Sequence, residues 1–257
     1  MPEDIVQYAV DECIATLTLN HPRRRNALSS PMMTALRVCL EAARDDASVR
    51  VAIIKANGPV FSAGHDLGEL HGRCDSDYAG VFDQCTQLME SIRLLPKPVI
   101  AQVDGLATAA GCQLVATCDL AVASNTSQFA TPGVKIGLFC TTPGVAVARA
   151  MTPKKAMEML LTGAPLTAGQ AERAGLVNAV VPAGELDAAV RALAGKIAEA
   201  SAQTLAIGKE AFYRQIELDR PAAYAYAGEV MVRNLLAEDA IEGISAFIEK
   251  RKPTWRH

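Results

Sequence analysis

The 257-residue chain reads as an α/β core followed by a helical region. Three observations carry that reading. Apolar runs of strand length, "VRVAIIKA" (49–56), "PVIAQVDG" (98–105) and "DLAVAS" (119–124), alternate with segments of helical spacing. These runs are continuous rather than alternating, the mark of strands buried on both faces. Beyond Glu185 nearly every segment has helical periodicity, down to "FIEKRKPTW". The division expected from this is a core over 1–183 and a helical region over 184–257.

The elements follow in order. "IATLTLN" (14–20) alternates apolar and polar residues and predicts a strand. "HPRRRNALSS" (21–30) is a basic loop. Ser30 and Pro31 form an N-cap and first-turn pair, and Leu36, Cys39, Leu40 and Ala43 continue the helix. The 49–56 strand comes next, then a loop with three glycines, "GPVFSAGHDLGEL" (58–70). Val81, Cys85, Leu88, Met89 and Ile92 predict an amphipathic helix ending before Pro96. After the next strand, "GLATAAGCQL" (105–114) turns into a short helix. Its run of small residues implies a close approach to the backbone. Later, Thr152-Pro153 and Thr167 read as helix starts, Gly163 and Gly175 as helix stops, and "LVNAVVP" (176–182) as a strand.

Bulk properties narrow the function. No apolar run reaches the ~18 residues that span a bilayer. A net charge of −3 argues against a general nucleic-acid surface. The start, "MPEDIVQYAV", lacks a basic segment followed by an apolar one, so no signal peptide is expected. The seven cysteines are odd in number and form no CxxC pair, which predicts buried thiols in a reducing compartment, the cytoplasm. The four histidines have no ligand spacing, so no metal site is expected.

Five ordered motifs point further. They are "PRRRNALS" (22–29), "GPVFSAGHDLGEL" (58–70), "KPVIAQVDGLATAAGCQLVATCDLAVAS" (97–124), "FATPGVKIGLFCTTPG" (129–144) and "LTGAPLTAGQAERAGLVNAVVP" (161–182). Together they resemble the enoyl-CoA hydratase/isomerase family, the crotonases, over essentially the whole chain. The resemblance implies a spiral of ββα units. It also implies C-terminal helices that assemble trimers, often paired into hexamers. The implied ligand is an acyl- or enoyl-CoA of fatty-acid or acyl-CoA metabolism. Coenzyme A enters as part of the substrate, and no cofactor is held permanently.

Matched onto this chain, the family's oxyanion hole falls on the backbone N–H groups of His65 and Ala110. Such donors stabilise charge developing on the thioester oxygen, and they do not depend on side-chain identity. The helix opening near Gly111 would add its N-terminal dipole. The resemblance also places Arg24, Ala63, Asp66, Leu67, Gly68, Ala107, Thr131, Cys140 and Thr141 along the CoA and acyl path. Phe247 and Lys250, on the last helix, would complete the site, with a neighbouring subunit as one source. Against this stands a departure. The two positions where hydratases of the family carry glutamates are Gln113 and Gly133 here. A glutamine has no titratable proton and a glycine no side chain, so the usual acid and base are missing. Candidates to replace them are Cys140, His65, Asp66, Glu69 and His71, with a plain pocket-lining thiol the simpler reading of Cys140. Two functions stay open: an enzyme of the hydratase/isomerase class with weak or variant activity, or a non-catalytic acyl-CoA-binding or regulatory protein.

Overall fold

The computed structural model describes residues 4–256. Among them, ten strands form two sheets. The main sheet has the order β1 (Val6–Asp11), β2 (Ile14–Leu19), β3 (Val51–Ala56), β5 (Val99–Val103), β7 (Leu120–Ser124) and β10 (Ala179–Val181). The small sheet has the order β4 (Val60–Ser62), β6 (Leu106–Thr108), β8 (Gln128–Ala130) and β9 (Leu166–Thr167). The main sheet is parallel except for β1, and the small one is parallel except for β9. Between and after them run α1 (Ser30–Asp45), α2 (Asp75–Arg93), α3 (Ala110–Thr117), α4 (Thr141–Ala150), α5 (Pro153–Thr162), α6 (Ala168–Ala174), α7 (Leu186–Ala198), α8 (Ala202–Gln215), α9 (Arg220–Leu235) and α10 (Glu238–Glu249).

The chain order shows a repeated unit. β3, β4 and α2 form one turn, β5, β6 and α3 the next, and β7 and β8 begin a third. The first strand of each pair joins the main sheet and the second joins the small one. This is the expected spiral of ββα units. Its main strands are apolar throughout because both of their faces are covered. Leu17, Ile54, Ala101 and Ala123 face Leu36, Leu40, Leu88 and Ile92 of α1 and α2. The alternate residues Ile14, Val51, Ile53, Ile100 and Val122 face Leu186, Val190 and Ala194 of α7.

Several boundaries differ from the sequence reading. β1 was not expected, since its outer positions are mostly exposed. β4 and β6 lie in segments read as loop or turn, and β8 in one given no reading, because three residues are too few to show a period. Ser29, not Ser30, caps α1, its hydroxyl accepting from Met32 N at 3.4 Å. Thr167 closes a full capping box with Gln170, and Gly163 and Gly175 end their helices at φ +59° and +95°. Among the seven free thiols, Cys85, Cys112, Cys118 and Cys140 are buried, Cys13 and Cys39 are half-buried, and Cys74 is exposed. Cys74 corrects the expectation of uniformly buried cysteines: it sits just before α2, outside the core. No helix of the described residues is long and apolar enough to cross a membrane.

Candidate functional site

The ends of β4, β6 and β8 deliver three segments to one place. β4 leads to Gly64 and His65, β6 to Ala109 and Ala110, and β8 to Thr131 and Gly133. Gly64 has φ +84°, and a Cβ there would stand 2.8 Å from Ala109 Cβ and 3.0 Å from Ala110 N. A Cβ on Gly111 would lie 2.4 Å from the Ser62 carbonyl oxygen, and one on Gly105 only 2.1 Å from that of Pro59. The small residues of 105–114 are therefore required first by contact between the two loops themselves. Ala109 takes φ +51° and ψ −119°, a strained conformation for any residue but glycine. It turns the chain into α3 so that Ala110 is the first helical residue, whose N–H has no partner within the helix. Among the described residues no acceptor meets the N–H of His65 or of Ala110.

The basic loop holds this arrangement from behind. Asn26 is fully buried; its Oδ1 accepts from His21 N, and its Nδ2 donates to the carbonyls of Asn57 and Val60 at 2.9 and 2.8 Å. Ala63 N donates to Arg25 O, Leu28 N to Gly64 O, and Ser62 Oγ to Asn26 O. Arg24 reaches Asp66 at 4.0 Å, an exposed contact of little energetic weight. Asp66 Oδ1 accepts from Gly68 N at 2.9 Å, and Glu69 accepts from both the N and Oγ of Ser30. These two carboxylates are thus engaged in shaping the loop. The His65 ring stands edge-on to Phe82 with centroids 5.4 Å apart, and among the described residues both its nitrogens are buried without a hydrogen bond of good geometry. Burial lowers its pKa, with the Leu28 backbone and the Glu69 carboxylate opposing in part.

Gln113 and Gly133 occupy different settings. Gln113 is buried; its Oε1 accepts from the Cys85 thiol at 3.9 Å, and it borders a cavity of about 500 Å³ between α2, α3, α4 and α8. Gly133 is walled in: a Cβ there would meet Leu138 O at 2.6 Å and Cys140 Sγ at 2.8 Å. The Cys140 thiol thus fills the space a longer residue would need. Burial pushes its pKa up, with the Gly133 backbone opposing only in part. The neighbouring Cys112 is pushed up to about 12 by burial. Neither thiol is disposed to ionise near pH 7. Among the described residues, Thr108 and Thr131, at the ends of β6 and β8, each keep a buried hydroxyl without a partner. Among the described residues no three His, Cys, Asp or Glu side chains are grouped to hold a metal.

The description "Enoyl-CoA hydratase/isomerase" belongs to a family profile that matches residues 9–257. The chain belongs to this family. Among its members, enoyl-CoA hydratase domain-containing protein 3 of Rattus norvegicus is 51% identical over 245 residues, covering 95% of this chain and 82% of that protein. That is the subgroup the wording "ATAAGCQL" and "TPGVKIGLFCTTPG" resembles. The crystal structure of the human protein of the same name superposes at a TM-score of 0.95 with 48% identity, covering 98% of this chain and all of that one. An enoyl-CoA hydratase structure from Mycobacterium smegmatis gives 0.96 and 47%, covering 99% and 100%.

The cytoplasmic expectation is overturned. Five family members of 50–51% identity are named mitochondrial. Reduced thiols suit either place, so cysteine usage had no power to separate them. Of the residues matched to the crotonase site, Ala63, Asp66, Leu67, Gly68, Ala107, Thr131, Cys140 and Thr141 lie on the converging segments beside His65 and Ala110. Phe247 and Lys250 are not gathered with them. They lie at the end of α10, which packs on α8 and α9, and Phe247 is 85% exposed. Sequence reasoning missed Asn26, whose only signal is an amide within a basic loop. It also missed the buried Lys209–Asp119 pair, separated by 90 positions.

Proposed function

We propose that this crotonase-family protein binds an acyl- or enoyl-CoA of acyl-CoA metabolism and polarises its thioester carbonyl through the N–H groups of His65 and Ala110. The observation carrying the proposal is the pair of acceptor-free amides held together by the Gly64–Ala109 contact. Each such donor contributes on the order of 3 kcal/mol to a developing oxyanion in comparable sites. Arg24 would meet the CoA phosphates. Ala63, Leu67, Gly68, Ala107, Thr131, Cys140 and Thr141 would border the pantetheine and acyl path. Phe247 and Lys250 would reach it from a neighbouring subunit of a trimer; the exposed Leu236, Ile244, Phe247 and Ile248 favour such an assembly.

Hydration by paired carboxylates is not available to Gln113 and Gly133, and each missing acid or base is worth roughly 10²–10⁴-fold. An enzyme of this class would therefore turn over slowly or run a variant reaction. A second reading, acyl-CoA binding without catalysis, is favoured by one observation: the space beside Gly133 is closed by Cys140 and Leu138. Calorimetry with acyl-CoA and free CoA tests the shared part, with tighter binding of the thioester expected and equal or absent binding refuting it. Turnover across enoyl- and acyl-CoA substrates separates the readings. Activity lost in Ala110→Pro, which removes one N–H where a helix accepts proline, supports the enzyme. Binding with no turnover at high protein concentration supports the second reading.

A further inference from the structure

Helix α8 has no fully buried residue, yet it closes one end of the cavity that Gln113 borders. Its hold on the core is polar. Lys209, 7% exposed at its side chain, donates to Asp119 Oδ2 at 2.7 Å, Ile92 O at 2.9 Å and Lys97 O at 3.0 Å. All three ammonium protons are thus satisfied, in the manner a buried charge requires. Tyr213, one turn later, donates to Asp119 Oδ1 at 2.8 Å, and Asp119 Oδ2 also accepts from Val99 N at 2.7 Å. Asp119 therefore ties α8 to the starts of β5 and β7 and the end of α2.

The cavity runs along helix stripes. Thr142, Val145, Ala146 and Arg149 line it from α4, and Thr86, Met89, Glu90 and Arg93 from α2. Each stripe spans eight residues, about 10 Å of helix. Of the cavity-lining residues, Gln113 lies three residues after Ala110 in α3, and Thr142 lies in the first turn of α4, two residues after Cys140. Phe212 and Tyr213 stand with Asp119, at the far end of α3.

We propose that Phe212 and Tyr213 are the end wall of the acyl cavity, and that Asp119 and Lys209 are positioning residues which, by fixing α8, set the longest acyl chain the site accepts. This rests on the CoA-thioester reading above. The test is calorimetry of wild type, Tyr213→Ala, Phe212→Ala and Asp119→Asn with saturated acyl-CoAs of increasing length. In the wild type, affinity rises with chain length until the cavity is filled and then stops rising. In Tyr213→Ala and Phe212→Ala that limit moves to longer chains, with two further buried methylenes giving about a tenfold gain over wild type. Asp119→Asn blurs the limit, which a merely structural role would not do without weakening every acyl-CoA equally. An unchanged limit in a folded Phe212→Ala, whose ring lies outside the polar network, overturns the proposal. So does an equal loss for all chain lengths. Absence of binding to acetyl-CoA in the wild type instead strikes the thioester reading, and this inference falls with it.

Discussion

The two sides of the candidate site are built on opposite principles. On one side, Gly64, Ala109, Ala110 and Gly111 press two loops together so tightly that added methyl groups would lie 2.4–3.0 Å from backbone or Cβ atoms, and two amides are left unpaired. On the other side, at the two positions the family resemblance matches to carboxylates, stand the buried amide of Gln113 and the walled-in Gly133. The first side depends on backbone geometry, so side chains as different as His65 and Ala110 can serve it. The second depends on side-chain chemistry, and a change of residue removes it outright. Under the proposed function, such a site would keep its grip on a thioester carbonyl without the paired carboxylates of a hydratase.

The sharpest way to break this comparison is at the tight side. Gly111→Val would drive a branched side chain into the Ser62 carbonyl, and a loss of about 3 kcal/mol or more in denaturant unfolding is expected, together with loss of acyl-CoA binding. Next comes the sealed side. Gly133→Glu is expected to cost about 2–3 kcal/mol, because Leu138 O is backbone and cannot swing aside. Gln113→Glu, at the edge of a cavity, should cost less, with burial raising the new carboxyl's pKa. The pair together should yield no hydratase activity; efficient hydration by the double variant would show that the wall beside Gly133 yields.

Smaller effects sharpen the picture. Alkylation at pH 8 should modify Cys74 at least about tenfold faster than Cys140, since one is exposed and burial holds the other above the usual thiol range. Equal rates, read by peptide mass spectrometry, would reopen Cys140 as an activated nucleophile. Smallest of all, Ala109→Gly should raise stability by about 1 kcal/mol in denaturant unfolding by releasing a strained turn. A destabilised variant would mean that the turn is not strained.

Much of this was legible in the chain itself. The continuous apolar strands follow from burial on both faces, and the family's ordered motifs brought His65, Ala110, Gln113 and Gly133 forward together. Three things were not legible. The second strands of the ββα units are three residues long and have no period of their own. The wall beside Gly133 is made by Leu138 and Cys140 folding back over it, a matter of contact rather than residue type. The clamp of Asp119 by Lys209 and Tyr213 joins residues about 90 positions apart, beyond any local pattern. "GLATAAGCQL" shows the limit well: its small residues suggest a ligand, yet half of their reason is the neighbouring loop.

The central claim is that a bound thioester oxygen accepts from two backbone N–H groups. Isotope-edited infrared spectroscopy of an acyl-CoA labelled at the thioester carbonyl reads this directly. The carbonyl band is expected at lower frequency on binding, with much of the displacement lost in Ala110→Pro. A bound thioester whose carbonyl band stays at its solution position would contradict it.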